Sequence, residues 1–172
     1  MCGRFILGIQ GKLWPDLVDL YPPDLQLKPR YNVAPTQEVP VVRNDGGKNR
    51  LEMMRWGLVP FYEKEFKTKF PLINARDDRI LEARPYQGPF KSRRCLIPAT
   101  GFYEWRKGPG KTKQPMMIRL KSGEPFGFAG IWESMEGSRK SRRRWSSVLF
   151  DYHHPSEFPD GADPRPHAGN SP

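Results

Sequence analysis

Residues 93–105, Arg93-Arg94-Cys95-Leu96-Ile97-Pro98-Ala99-Thr100-Gly101-Phe102-Tyr103-Glu104-Trp105, contain two short apolar runs separated by a polar and glycine break. Short runs of β-branched, aliphatic and aromatic residues between such breaks are typical of strands, because they are too brief for a stable helix. The stretch therefore predicts two consecutive strands, at residues 93–97 and 102–105.

The same pattern recurs on both sides of this stretch. Further strands are predicted at residues 3–7, 39–42, 51–59, 116–120 and 126–132, and residues 30–36 form an extended segment broken by a proline. Helices are predicted at residues 13–21, which Pro22-Pro23 would end, and at residues 77–83. The predicted fold class is α+β: a strand-dominated, curved or barrel-like mixed sheet with a few short helices.

Length and composition fit one intracellular domain. The chain has 172 residues, enough to bury a core, and its 19 prolines and 16 glycines indicate many turns. Neither a membrane-length apolar run nor a signal pattern is present, so we expect a cytoplasmic protein. Cys2, Cys95 and the three histidines have no metal-ligand spacing, so neither a metal nor a cofactor nor a disulfide is expected.

The charge indicates the kind of partner. Lys and Arg number 29 against 19 Asp and Glu, a formal net charge of +10, and residues 139–144 form a dense basic run. Cations that contact phosphates release counterions and gain affinity, so the excess favours a nucleic-acid partner over a merely solvated basic surface.

The first residues, Met1-Cys2-Gly3-Arg4, offer covalent chemistry. The small side chain of Cys2 predicts removal of Met1, which leaves an α-amine and a thiol on adjacent carbons. Both groups titrate near neutral pH and both are nucleophiles. Together they can close on an aldehyde as a thiazolidine, or the amine can act as base for the thiol in a hydrolase. On position alone, Cys2 could also simply begin the first strand.

Six motifs, in order over residues 1 to about 136, together resemble one protein family. They are Met1-Cys2-Gly3-Arg4-Phe5, Arg30-Tyr31-Asn32-Val33-Ala34-Pro35-Thr36, Arg55-Trp56-Gly57-Leu58-Val59-Pro60, Ile73-Asn74-Ala75-Arg76, Arg94-Cys95-Leu96-Ile97-Pro98-Ala99 and Gly101-Phe102-Tyr103-Glu104-Trp105. The chain is therefore similar to the SOS-response-associated peptidase (SRAP) family of abasic-site-processing proteins.

The resemblance implies an activity and its catalytic residues. Cys2 would trap the ring-opened aldehyde of an abasic site in single-stranded DNA as a thiazolidine, during the DNA damage (SOS) response. Asn74 would orient the nucleophile and the sugar, and Glu104 would be the acid–base group. The family's peptidase activity would remove residues ahead of Cys2, here only Met1. A monomer associated with the nucleoid is expected.

The resemblance also implies the residues that hold the DNA. They are Arg4, Asn32, Pro35, Phe61, Tyr62 and Arg76. The two arginines would bind phosphates, and Phe61 or Tyr62 would wedge against a base.

Structural roles remain open for most of these residues. Glu104 could face outward on an ordinary alternating strand, Asn74 could begin a helix, and Arg4 and Arg76 could be surface charges. The two tryptophans of the motifs, Trp56 and Trp105, are expected in the core, and Cys95 is expected to be inert.

The resemblance ends after the strand at 126–132. The family continues with a strand ending in Leu-Thr-Thr and then a His-Asp-Arg-Met-Pro motif, whose histidine belongs to the active site. His153, His154 and His167 do not lie in that context. Read one nucleotide later, codons compatible with residues 150–152 can encode Leu-Thr-Thr, and those compatible with 164–170 can encode His-Asp-Arg-Met-Pro-Val-Ile. We therefore hypothesise a frame slip between residues 137 and 150. A divergent tail is the alternative.

Three segments are predicted. Residues 1–136 form an SRAP-like domain without its last strands, 137–150 a basic loop that can include a strand, and 151–172 a disordered, non-native tail poor in apolar residues. The expected function is an abasic-site trap impaired by loss of the histidine motif. The alternatives are a non-covalent single-stranded DNA-binding module and a non-functional truncated product.

Overall fold

The computed structural model describes residues 3–11, 13–63, 65, 72–76, 79–107, 109–135 and 144–151. Within these ranges the chain forms ten strands and one helix. In chain order they are β1 (Phe5–Leu7), β2 (Arg30–Val33), β3 (Glu38–Asp45), β4 (Lys48–Trp56), β5 (Asn74–Arg76), α1 (Arg84–Ser92), β6 (Arg94–Ala99), β7 (Gly101–Lys107), β8 (Lys113–Ile118), β9 (Phe126–Met135) and β10 (Arg144–Asp151).

The smaller sheet, sheet I, has four antiparallel strands in the order β2-β1-β7-β8. Phe5 at the centre of the sheet lies opposite Val33 on one side and Phe102 on the other. Residues directly opposite each other share a face of the sheet, so these three apolar side chains point the same way, toward the core.

The larger sheet, sheet II, has six strands in the order β4-β3-β6-β9-β10-β5. Strand β10 runs parallel to β5 and also to β4. All other pairs of sheet II, including β10 with β9, are antiparallel. Because β4 is the strand at the far end of the sheet, its pairing with β10 means that the sheet curls back on itself. The prediction of a strand-dominated α+β fold with a curved mixed sheet is confirmed, although the described residues form two sheets, and no closed barrel, with one α-helix.

The core lies between the two sheets. The ring of Phe5 in sheet I packs 5.2 Å from that of Trp56 in sheet II, centroid to centroid, and 6.0 Å from that of Phe128. Phe5 and Trp56 are both fully buried, and a second apolar cluster that includes Ile80 and Tyr86 joins α1 to sheet II. Strand β1 is therefore anchored at the centre of the protein.

The prediction of a helix at residues 13–21 is wrong. Trp14 has φ of 47°, and only one turn forms, with the Leu17 and Val18 amides bonded to the Trp14 carbonyl. The backbone of Leu20 instead pairs with β4, donating to Asn49 and accepting from Leu51. A nine-residue helix is marginal by itself, so tertiary hydrogen bonds decide the conformation.

The helix predicted at residues 77–83 begins with two residues, 77 and 78, that lie outside the described part of the chain. Its described residues, 79–83, form turns and not the predicted α-helix, and α1 follows them. Pro85 lies in the first turn of α1, where its missing N–H has no intrahelical partner to lose. A residue type that usually breaks helices here lies in the first turn of one.

The strand predictions are confirmed at their centres, and these strands differ from the predictions by a few residues at the ends. β5 was not predicted as a strand. The turn between β3 and β4 is a two-residue loop of Gly46 and Gly47, both with positive φ, which suits the twist of a hairpin. Among the described residues no helix is long and apolar enough to cross a membrane. Residues 139–143 of the basic run and the tail 152–172 lie outside the described residues, so the three predicted segments stay predictions.

Candidate active site

The candidate nucleophile, Cys2, lies outside the described residues, and the site is built from the residues that follow it. Arg4 leads into β1, and its carbonyl accepts a hydrogen bond of 2.9 Å from the Tyr103 amide of β7. This bond continues the register that pairs Phe5 with Phe102. By that register Glu104 lies level with Gly3, next to the candidate nucleophile in sequence.

Glu104 does not lie on the outward face of an ordinary strand. Strand alternation puts it on the same side of β7 as Phe102, which packs against the core, and its own side chain is half-buried. Trp105 is on the opposite side and 42% exposed, so the prediction that Trp105 belongs to the core is wrong. Glu104 is thus placed at the edge of the space between the two sheets.

The side chain of Arg4 reaches the neighbouring strand β2. Its Nη1 donates a 3.0 Å hydrogen bond to Oδ1 of Asn32, and both residues are exposed. The hydroxyl of Tyr103 donates to the Tyr31 carbonyl at 3.2 Å. Two residues expected to hold DNA are therefore brought together on the surface beside the start of β1.

Trp56 joins four segments of the chain. Its ring packs on Phe5, its backbone carbonyl accepts from the Thr36 amide at 2.8 Å, and its own amide donates to the Gln37 carbonyl at 2.9 Å. These bonds fix the loop that carries Pro35, which is partly buried. The prediction that Trp56 is a core residue is confirmed, since it is fully buried.

The indole of Trp56 also holds the strand that carries Asn74 and Arg76. Its Nε1 donates a 2.8 Å hydrogen bond to the Ile73 carbonyl, directly before β5. Asn74 is half-buried at the beginning of β5 and Arg76 is exposed at its end. Asn74 therefore begins a strand and not a helix, and it is tied through Trp56 to Phe5 and the N-terminal strand.

The corner after Trp56 requires a glycine. Gly57 has φ of 124°, and a Cβ at this position would lie 2.9 Å from Nη1 of Arg55, which donates to the Gly57 carbonyl at 2.8 Å. Burial lowers the pKa of Arg55, although a guanidinium stays charged in proteins. Arg55 thus brings a half-buried positive charge to the corner that precedes Asn74.

The two candidate wedge aromatics follow this corner and lie on the surface. Phe61 is 59% exposed and Tyr62 is 41% exposed, and their rings meet edge to face with centroids 5.3 Å apart. The guanidinium of Arg84, from α1, lies over the Tyr62 ring at 4.6 Å. Sequence reasoning did not identify Arg84, whose only signal was its place beside Pro85.

The second cysteine, Cys95, is buried and is not expected to act as a nucleophile. It lies in β6, is 8% exposed, and burial raises the pKa of its thiol. A thiol buried in apolar surroundings holds little reactive thiolate.

We therefore expect the Cys2→Ala variant, whose single remaining thiol is Cys95, to react slowly with a thiol-specific chromogenic reagent at pH 8. In denaturant the same thiol should react at the rate of a free cysteine. Rapid reaction of the folded variant would contradict the burial of Cys95.

In the part of the chain that the structure describes, no group of three His, Cys, Asp or Glu side chains is placed to hold a metal ion. The three histidines of the sequence lie outside that part. Among the described motif residues, Asn32 and Glu104 lie on strands of sheet I next to the start of β1. Trp56 of sheet II packs on Phe5 and bonds to the segment that contains Asn74.

The chain is a two-sheet α+β protein whose candidate site lies around its N-terminal strand. The chain belongs to the SRAP family: the model of that family, described as SOS response associated peptidase, matches residues 1–150. The Bacillus subtilis abasic site processing protein YoaM is 44% identical over 138 residues, covering 77% of this chain and 60% of YoaM. The B. subtilis abasic site processing protein YoqW is 42% identical over 146 residues, covering 80% of this chain and 64% of YoqW.

A solved structure shares the fold. A Bordetella bronchiseptica protein determined by X-ray crystallography superimposes with a TM-score of 0.69 at 16% identity, covering 91% of this chain and 74% of that one. The matched part of the chain spans less than two thirds of the length of YoaM and YoqW.

Proposed function

We propose that this protein processes abasic sites by trapping them covalently in single-stranded DNA through Cys2. The observation that carries the proposal is the clustering around β1: Glu104 lies level with Gly3 by register, and Trp56 ties Phe5 to the strand of Asn74. Family membership supports it, because the relatives YoaM and YoqW carry the name abasic site processing protein.

The proposed reaction uses both nucleophiles of an N-terminal cysteine. After Met1 is removed, the α-amine attacks the aldehyde carbon of the ring-opened sugar, and loss of water gives an imine. The Cys2 thiolate then adds to the imine carbon, so that one C–N and one C–S bond form for each water released. Glu104 would move protons between the amine, the departing hydroxyl and the ring nitrogen, and Asn74 would orient the sugar.

The DNA would run over the exposed surface beside β1. Arg4, held by Asn32, and Arg76 are exposed cations suited to phosphates, and Pro35 and the pair Phe61–Tyr62 present apolar surface to bases. Single-stranded DNA fits such a surface because every base has a face that stacks on an aromatic ring. The net charge of +10 strengthens binding at low salt.

The proposal includes the oligomeric state, the cellular location and the self-processing of the protein. The protein would act as a monomer at the nucleoid during the SOS response, and self-processing peptidase chemistry would expose Cys2. Because the family's His-Asp-Arg-Met-Pro motif is not found in this sequence, cross-linking should be slower than in relatives that carry the motif.

The test is cross-linking to a single-stranded oligonucleotide with one abasic site, followed by a denaturing gel. We expect a slow, Cys2-dependent shifted band for the wild-type protein and none for Cys2→Ala. An oligonucleotide with a tetrahydrofuran residue, which has no aldehyde, should give no band with either protein.

Each alternative predicts a different experimental result. Binding in a native gel without any denaturant-resistant band would favour a non-covalent single-stranded DNA-binding module. A band of equal strength in wild type and Cys2→Ala would assign the reaction to an amine, either the α-amine or a lysine, and overturn the role of the Cys2 thiol. A broad, non-cooperative thermal melt without DNA binding would favour a non-functional product.

A further inference from the structure

The two exposed aromatic side chains, Phe61 and Tyr62, differ in exposure and in the contacts that they make. Phe61 is the more exposed, at 59% against 41%, and it meets Tyr62 edge to face with an interplanar angle of 78°. Tyr62 in turn lies under the guanidinium of Arg84. The face of Tyr62 is thus occupied by a cation, and Phe61 presents the larger open surface.

Arg84 occupies an unusual place for a cation. It is the first residue of α1, at the positive end of the helix dipole, where negative groups are favoured. The first turn has no acidic residue, and Ala83 at the N-cap makes no side-chain hydrogen bond. Helix stability does not explain an arginine there, whereas a ring face 4.6 Å away gives its charge a favourable partner.

Tyr62 is also connected to the inside of the protein. Tyr86, two residues after Arg84, is buried, and its hydroxyl donates to the Asn74 carbonyl at 3.5 Å. Burial raises the pKa of Tyr86, and nearby Tyr62 raises it further, as expected for neighbouring phenols. The first turn of α1 therefore contacts the aromatic pair on one side and the strand of Asn74 on the other.

We infer that Arg84 is a positioning residue, whose guanidinium fixes the Tyr62 ring so that Tyr62 supports Phe61 against a base of the bound strand. The inference rests on the proposed function, which supplies the nucleic acid. It assigns the two aromatics different roles: Phe61 contacts the base, and Tyr62 is its support. Arg84 acts through Tyr62 and not through a phosphate.

The alternative role for Arg84, a direct phosphate contact, makes different predictions. Loss of a phosphate contact weakens binding whatever residue stands at position 62, and it reduces the salt dependence of binding by about one counterion. Loss of a positioning contact leaves the salt dependence unchanged, and it has no effect once the Tyr62 ring is gone. A double-mutant cycle between Arg84→Met and Tyr62→Leu separates the two.

The experiment measures the affinity of the full chain for an undamaged fluorescent oligothymidylate at several salt concentrations. Phe61→Leu should weaken binding by about 5- to 100-fold, the range for loss of a base–aromatic stack. Arg84→Met should weaken it by about 2- to 5-fold in the wild-type background, and by nothing in the Tyr62→Leu background. Tyr62→Phe, which keeps the ring, should bind as the wild type does.

Lys91→Met is the matched control, since Lys91 is an exposed cation in the last turn of the same helix. Equal effects of Arg84→Met with and without the Tyr62 ring, or a salt dependence reduced by one counterion, would overturn the inference in favour of a phosphate contact. Unchanged binding by Arg84→Met would overturn it as well. Melting temperatures of all variants identify any effect that comes from unfolding.

Failure of the proposed function gives a different pattern. If the wild type forms no Cys2-dependent cross-link but the cycle is non-additive, the positioning role stands and the covalent function falls. If cross-links form and the cycle is additive, the covalent function stands and the role of Arg84 falls.

Discussion

Replacing Trp56 with alanine is expected to cost about 3–5 kcal/mol of folding free energy, the usual loss for a large buried aromatic. Trp56 is fully buried, packs on Phe5, and donates its indole N–H to the Ile73 carbonyl. The variant would lose the packing and leave that carbonyl without its partner. Urea unfolding followed by circular dichroism measures the loss.

Trp105→Ala is the matched control for Trp56→Ala. The side chain of Trp105 is 42% exposed on the outer face of sheet I, so its removal should cost about 1 kcal/mol or less. Similar losses for the two tryptophans would contradict the placement of Trp56 as the residue that joins the sheets.

Trp56→Phe keeps an aromatic ring but removes the indole N–H. A reduced cross-linking rate in a stable Trp56→Phe protein would show that the indole hydrogen bond matters for positioning Asn74.

Arg93→Met is expected to destabilise the protein by about 3 kcal/mol, because it leaves a buried carboxylate without its cation. Nη2 of Arg93 donates to Oε2 of Glu133 at 2.9 Å, and the Glu133 side chain is only 5% exposed. The pair joins the end of α1 to β9. We place the loss at the lower end of the range for buried pairs because the Arg93 side chain is 28% exposed.

The double variant Arg93→Met/Glu133→Leu tests this reason. Replacing both partners with apolar side chains of similar size removes the stranded charge, so most of the lost stability should return. Chemical unfolding of the single and double variants gives both values. A double variant less stable than Arg93→Met alone would mean that the pair contributes more than charge compensation.

The strands of this protein could be predicted because their signal is local. Short apolar runs between polar and glycine breaks located most strands. The helix prediction at residues 13–21 failed for a non-local reason, because these residues have helical spacing but bond to β4. The start of α1 at Arg84 was missed because proline usually ends a helix, whereas Pro85 lies in the first turn of this one.

The candidate site was partly predictable. The motifs named Arg4, Asn74 and Glu104, and the fold brings their segments together. What holds them together could not be predicted, because the hydrogen bond from Trp56 to Ile73 and the contact of Arg84 with Tyr62 join residues 17 and 22 positions apart through tertiary structure. The exposure of Trp105 follows from strand alternation combined with a core on one face only, and this depends on which face of sheet I meets sheet II.

The most direct test of the central claim is mass spectrometry of the protein after reaction with an abasic oligonucleotide, followed by nuclease and trypsin digestion. Cleavage after Arg4 isolates residues 2–4 as one peptide. We predict that this peptide carries the sugar remnant with loss of one water, and that both its amine and its thiol are blocked to alkylating reagents. An unmodified 2–4 peptide, or a sugar remnant found instead on a lysine or on Cys95, would contradict the account.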